Sequence, residues 1–270
     1  MSLDAIETRV VDIPTQDGLI LNADFGQVTN NQRGIILAHG ITTNRSRESV
    51  LVAAEPILNS AGFSTLRFDF RGHGLRQLNS EQEVTIPGTM ADIDTMVKFF
   101  QEQGIKRIGL AGASFGGAIS VLYAADHPQQ IQALFLENPV LDFDPVYLHP
   151  KTPWGKEFFG NIEERVQDRG YLEVGAGRFR LGQILFEEMQ QYRPFDALAE
   201  YPHEIMVVQG DLDDKIDYRD VVEQFKRLPN PRKRLEMLAG GSHGFHNEPF
   251  KGVVVNMIRD FFIQNLRDSQ

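Results

Sequence analysis

The chain of 270 residues has no cysteine and a single tryptophan. Without thiols it cannot be a disulfide-stapled secreted scaffold, a thiolate zinc site, an iron–sulfur protein or a cysteine-nucleophile enzyme. Positive charge is also short: 27 Lys and Arg face 37 Asp and Glu, for a net charge of -10. So acidic a protein is a poor counter-ion for phosphate backbones or anionic lipid, and nucleic acid is not an expected partner. Long apolar runs are missing as well. Ala133 to Leu136 and Val253 to Val255 are typical, far below the ~20 residues of a membrane span. Met1 to Arg9 carries Asp4 and Glu7 where an export leader needs positive charge and then a continuous apolar core. A soluble cytoplasmic protein is the expectation. What is present is ordinary for a globular chain, 41% apolar and 24% charged, with length enough for a large core.

Hydrophobic periodicity switches repeatedly between two and 3.6 residues. Thr8–Ile13 and Leu19–Phe25 flank a turn at Thr15–Gly18 and read as an opening hairpin. Short apolar runs follow at Gly34–Ala38, Ser64–Phe70, Ile105–Ala111, Ile131–Leu136 and Glu204–Val208. Runs this short, bounded by Gly and Pro, suit a parallel sheet covered on both faces. Helical patterns lie between them. Ile93, Met96, Val97 and Phe100 share one face, and Val254, Met257, Ile258, Phe261, Phe262 and Leu266 form a stripe near the end. The alternation predicts an α/β fold built on a mostly parallel doubly wound sheet. Residues 141–202 break the rhythm. There a small hairpin is expected, Tyr171–Val174 with Arg178–Leu181 around Gly175-Ala-Gly177, then a polar helix over Gln183–Tyr192. This stretch reads as a lid inserted into a core made of 1–140 and 203–270.

The residues that carry chemistry begin with Gly112-Ala113-Ser114-Phe115-Gly116. Ten serines and 24 glycines give this G-x-S-x-G pattern about 0.08 times by chance. Its setting sharpens it: a strand candidate precedes Ser114 and a helix candidate begins at Phe115, the context of a strand-to-helix nucleophile elbow. A serine hydroxyl needs a base to take its proton, and that base needs an anion to fix its tautomer. Of seven histidines, His243 stands in a small-residue loop after the strand-like Lys233–Met237. His246 is the alternative base and reads better as a cap on the final helix. His73 reads as a structural turn residue and His127 as a helix-end residue. The acid should follow another strand, and Asp211, Asp213, Asp214 and Asp217 crowd the loop after Ile205–Gln209. Calcium is excluded there, since Ile216 stands where the turn glycine belongs. Spacing from Gly210 favours Asp213. No His and carboxylate cluster has ligand spacing, so no metal is expected. Gly175-Ala-Gly177 lacks the rest of a dinucleotide fingerprint, so no cofactor is expected either.

The order Ser114, Asp213, His243 resembles that of the α/β-hydrolases. His39-Gly40 resembles their oxyanion turn, Phe68 to Gly74 their D-x-R-G-x-G segment, Gly210 to Asp213 their G-x-x-D, and Gly241 to His243 their histidine loop. Gly40 to Arg45, with Phe68 to Phe70, is most similar to the cinnamoyl/feruloyl-esterase-like branch. Ser242 and Asp217 depart from the family pattern, standing where glycine and proline are common. The resemblance implies a serine carboxylesterase acting on a small-molecule ester through an acyl-enzyme on Ser114. It implies an oxyanion hole of the Ile41 and Phe115 backbone N–H groups. A peptidase or acylaminoacyl hydrolase, a thioesterase or acyltransferase, and a non-catalytic binding module on the same scaffold are the alternatives. A serine rather than an aspartate at the elbow speaks against a dehalogenase or epoxide hydrolase. The oligomeric state is left open.

Overall fold

The computed structural model describes residues 8–29, 31–167, 169–175 and 179–267. It opens with the expected hairpin, β1 (Thr8–Pro14) and β2 (Ile20–Gly26), closed by Thr15 and Gly18. Then β3 (Arg33–Ala38), α1 (Ser49–Ser60) and β4 (Ser64–Phe68) lead to a 3-10 turn at Gly74–Asn79. The short α2 (Ser80–Glu83) and long α3 (Ile86–Glu102) precede β5 (Arg107–Ala113), α4 (Phe115–Asp126) and β6 (Ile131–Glu137). The stretch after β6 holds a π-helical turn at Asp144–Leu148, α5 (Pro153–Phe159), α6 (Ile162–Gln167), β7 (Tyr171–Val174), β8 (Phe179–Gly182), α7 (Gln183–Met189) and α8 (Pro194–Glu200). Finally come β9 (Glu204–Leu212), α9 (Tyr218–Arg227), β10 (Lys233–Ser242) and α10 (Phe250–Asn265).

Eight strands form one sheet in the order β1-β2-β4-β3-β5-β6-β9-β10, and only β2 runs against the rest. The expected doubly wound α/β architecture is therefore what the chain adopts. Parallel neighbours need crossovers, and the helices supply them on both faces. Ile93, Met96, Val97 and Phe100 of α3 are all fully buried on one face, alongside α4. Val254, Ile258, Phe261 and Phe262 of α10 pack on the other face with α1. Thr85 caps α3 by accepting from Gly88 N–H, and Pro87 occupies the first turn, where a missing N–H costs nothing.

The strands run further toward their carboxyl ends than apolar content suggested. Gly112 and Ala113 pair with Ala38 and Glu137 and so extend β5, and β9 continues through Gly210 to Leu212. Small and polar residues stay extended here because neighbouring strands hold their backbones. Within 141–202, β7 and β8 make the expected hairpin as a separate two-stranded sheet. Its tip, residues 176–178, lies outside the described residues, so Arg178 cannot be compared with its expected place in the second strand. The expected helix over Gln183–Tyr192 ends at Met189, and Pro194 opens α8 instead.

His73 follows β4 and is buried among Phe70, His39 and Phe179, its ring centroid 4.7 Å from that of Phe179. This agrees with its reading as a structural turn residue. Burial, and then the charge His39 would carry, push its pKa down to about 3. The unfolded chain therefore binds a proton at His73 below pH ~6.5 that the folded chain refuses, and stability falls as pH drops through that window. Between pH 6.5 and 4.5 the loss should reach roughly 2–3 kcal/mol from this group. Urea midpoints of His73→Asn should accordingly fall less over that range than those of the wild type; parallel slopes would show that His73 is protonated in the fold.

Candidate active site

The carboxyl ends of β3, β5, β6, β9 and β10 form one rim, and the residues singled out by sequence gather there. Ser114 follows β5 with φ 53° and ψ -119°, a backbone that a side-chain-bearing residue adopts only when the surroundings hold it. Its N–H donates to Glu137 C=O at 2.9 Å and its C=O accepts from Val140 N–H at 3.1 Å. Glycine is required on both sides of it. A Cβ at Gly112 would stand 2.5 Å from Ser120 Oγ, and one at Gly116 would stand 2.2 Å from the His39 carbonyl oxygen. Phe115 opens α4, where the first-turn N–H groups have no partner within the helix.

His243 lies just beyond β10, and its Nδ1 is 2.9 Å and 3.0 Å from the two carboxylate oxygens of Asp213. The Asp213 side chain is fully buried. Burial alone would push its pKa up, but the His243 charge, the His243 hydrogen bond and the Ile216 and Lys215 N–H groups outweigh it and hold the acid below its usual range. Gln209 Nε2 donates to the same carboxylate at 3.0 Å. A carboxylate accepts only, so Nδ1 of His243 carries the proton and Nε2 is the nitrogen free to accept one.

The other three aspartates of the loop have different surroundings. Asp217 caps α9, accepting from Arg219 N–H, and Asp211 accepts from Gly240 N–H. Asp214 is exposed. His246 does not cap the last helix, contrary to its sequence reading. That helix begins four residues later, and Glu248 accepts from Gly252 N–H. His246 instead has its Nδ1 2.9 Å from Ser49 Oγ and borders the same cavity as His243. His127 sits at the end of α4, as expected, stacked on Tyr123.

Ser114, His243, Ile41 and Gly40 share a cavity of about 340 Å³. Its far wall is aromatic: Tyr147, Trp154, Phe158 and Phe159. Two acids also border it, Glu48 and Glu137, both nearly buried. Asn138, with φ 39°, ties three strand ends together: its N–H donates to Val208 C=O, its Oδ1 accepts from Gly210 N–H and its Nδ2 donates to Ser242 C=O at 3.4 Å. A larger cavity of about 1070 Å³ lies against α6, α7 and Arg193, and none of the candidate catalytic residues borders it. Among the described residues, no group of three or more His, Asp or Glu could hold a metal ion.

Residues 29–174, just over half the chain, match the family described as serine aminopeptidase, S33. The chain belongs to this family of α/β-hydrolases. Among curated proteins, an uncharacterised 31.7 kDa protein of Escherichia coli is 22% identical over 74% of this chain and 79% of its own length. A putative esterase/lipase of Mycoplasma pneumoniae is 35% identical over 29% of this chain and 28% of its own. Among solved structures, Est1E from Butyrivibrio proteoclasticus with bound ferulic acid aligns with a TM-score of 0.77, covering 94% of this chain and 98% of that one at 24% identity. An esterase of Pyrococcus furiosus aligns at 0.71 with 19% identity, covering 97% and 94%. At these identities the structural likenesses establish the fold. The chain is thus a hydrolase of the α/β-hydrolase fold, similar in architecture to Est1E. No helix among the described residues is long and apolar enough to cross a membrane.

The approach of Gly116 to the end of β3 gives a direct test of how tightly this hydrolase's site is built. Gly116→Ala would press a methyl group against two backbone carbonyls, Ala38 and His39, that cannot rotate away. It should cost about 1–3 kcal/mol or more, read as a lower urea midpoint. An unchanged midpoint would mean that the elbow and β3 part freely.

Proposed function

We propose that the hydrolase is a serine carboxylesterase with Ser114 as nucleophile, His243 as general base and acid, and Asp213 as the orienting carboxylate. The pairing of His243 Nδ1 with the buried Asp213 carboxylate, in a cavity shared with a strained elbow serine, carries the reading. Ser114 Oγ attacks the acyl carbon while His243 Nε2 takes its proton. The carbonyl oxygen gains the negative charge and accepts from the N–H groups of Ile41 and Phe115. Collapse breaks the bond to the alkoxy oxygen, which leaves as the alcohol with the proton from His243. Water then repeats the sequence on the acyl-enzyme and frees the acid and Ser114.

Residues 141–202 serve in this reading as a cap that supplies the far wall of the cavity. Trp154 lies 5.3 Å from Phe158, tilted, and 5.5 Å from Phe159, edge to face, and the group offers an aromatic apolar surface. This supports an aryl or medium acyl ester as substrate, and the ferulic acid held by the similar Est1E fits that chemistry. The family description favours a second reading, hydrolysis of a peptide or acylaminoacyl bond through the same acyl-enzyme. A panel of aryl, alkyl, thio- and peptide substrates separates the two by relative kcat/KM.

A fluorophosphonate probe should label the wild type and leave Ser114→Ala unlabelled; label on the variant would remove Ser114 from its role. Asp213→Asn offers an N–H to His243 and reverses its tautomer. It should lower kcat by roughly 10³–10⁴-fold while the fold persists, and a loss under tenfold would point to another acid. Trp154→Ala should raise KM for an aryl ester roughly tenfold more than for an acetyl ester, with labelling of Ser114 retained. Equal KM changes would take the aromatic wall out of specificity.

A further inference from the structure

Gly40 joins two peptide planes at the turn after β3, and a buried side chain holds each one. The plane between His39 and Gly40 presents Gly40 N–H, which donates to Glu48 Oε2 at 3.2 Å. The plane between Gly40 and Ile41 presents Gly40 C=O, which accepts from His39 Nδ1 at 2.7 Å. His39 must carry its proton on Nδ1, because its Nε2 accepts from Phe70 N–H at 3.1 Å. A trans peptide is planar, with its C=O and N–H on opposite edges. Drawing Gly40 C=O toward His39 therefore turns Ile41 N–H the other way, and Ile41 borders the cavity. The turn lies outside the sheet, and Thr42 stands at φ 62°.

Glu48 is an unusual residue in its place. It occupies the N-cap of α1, a position that Ser, Asp or Asn fills best, yet its side chain caps nothing in its own helix. It reaches back eight residues to Gly40 instead and is 7% exposed. Its Oε2 comes 3.5 Å from where a Cβ on Gly40 would sit, and Ser114 Cβ is 3.3 Å from that point. Glu137 stands nearby, 1% exposed, with neither carboxyl oxygen hydrogen-bonded. Burial first, then the charges of Glu48 and Asp213, push the Glu137 pKa well up.

We propose that Glu48 is the positioning residue of the oxyanion turn, fixing Gly40 N–H so that Ile41 N–H faces the oxygen on which negative charge develops. This rests on the esterase reading of Ser114. A bond from a neutral donor to a buried carboxylate is among the stronger ones available to a loop. Glu48 touches no reacting atom, so its loss should act on the transition state and leave ground-state binding alone.

The experiment compares Glu48→Ala and Glu48→Gln in the full chain, with p-nitrophenyl butyrate as substrate and an aryl trifluoromethyl ketone as tetrahedral analogue. Glu48→Ala should lower kcat roughly ten- to a hundredfold with KM within about twofold, and weaken the ketone by a similar factor. Glu48→Gln keeps a carbonyl acceptor for Gly40 N–H and should recover kcat to within about threefold of wild type. Wild-type kcat in Glu48→Ala, a loss confined to KM, or a Gln variant as impaired as Ala would each overturn the proposal. Glu48→Gln also covers the case in which Glu48→Ala fails to fold. A wild type that takes no fluorophosphonate on Ser114 would overturn the esterase reading itself; a labelled, active wild type matched by Glu48→Ala would overturn only the role of Glu48.

Discussion

Two backbones approach more closely here than side chains allow, and the site depends on that approach. The first turn of α4 lies against the end of β3, so that the α-carbon of Gly116 faces the carbonyl oxygens of Ala38 and His39. This contact sets the turn after β3 beside the elbow, where Ser114 holds a positive φ. Sheet pairing on both sides of β5, to β3 and to β6, makes up the strain elsewhere. The sheet then does the rest of the positioning. Each further candidate residue follows the carboxyl end of a strand, where parallel topology places its loops together.

Charge inside this rim is distributed unevenly, and the unevenness has a cause. Asp213 receives hydrogen bonds from His243, Gln209, Lys215 and Ile216 and stays ionised though buried. Glu137, one strand over and no more exposed, receives none, and burial pushes its pKa well up. His39 is held neutral, its pKa pushed down to about 4 chiefly by burial, and so can serve as donor on one nitrogen and acceptor on the other. The two motif segments that meet here are also tied by ions. Arg45, at the end of the oxyanion turn segment, binds Asp69 and Asp24, while Arg67 bridges Asp24 and Glu55. The turn is thereby fastened at its far end as well.

Most of the core was legible because its signals are local. Ile93, Met96, Val97 and Phe100 announce one helix face, and all eight sheet strands coincide with runs readable in the sequence, β10 as the strand-like Lys233–Met237. Ser114 was legible because crowding leaves glycine as the residue that fits two positions to either side. Asp213 could be chosen from four aspartates by spacing alone, and the structure gives the other three different surroundings. The residues missed are polar ones whose partners only the folded backbone reveals. Asn138 looks like a strand-end polar residue until β9 is brought beside β6, and Gln209 until the loop after β9 turns Asp213 back onto it. Glu48 looks like a surface acid before a helix. His246 was misjudged because a short loop and a Pro separate it from α10, and its partner, Ser49, lies 197 residues away in the chain.

The aromatic wall has a different origin from the rim opposite it, and this bears on how substrate choice is built. The rim residues belong to strands that the fold cannot move without losing its sheet. Trp154, Phe158 and Phe159 belong to α5, a helix of seven residues outside the sheet, packed against Tyr147 of the preceding π-helical turn. Lys215 lies over Trp154, its Nζ 5.3 Å from the ring, and so ties α5 to the loop that carries Asp213. The candidate catalytic loop and the wall facing it are joined by this cation–π contact and by Thr152 Oγ1, which donates to Lys215 C=O at 3.4 Å, interactions worth about 1 kcal/mol each. Such a joint allows the wall to change with sequence while the rim stays as the sheet dictates. In the esterase reading, specificity accordingly belongs to the residues after β6, and reactivity to the strand ends beneath them.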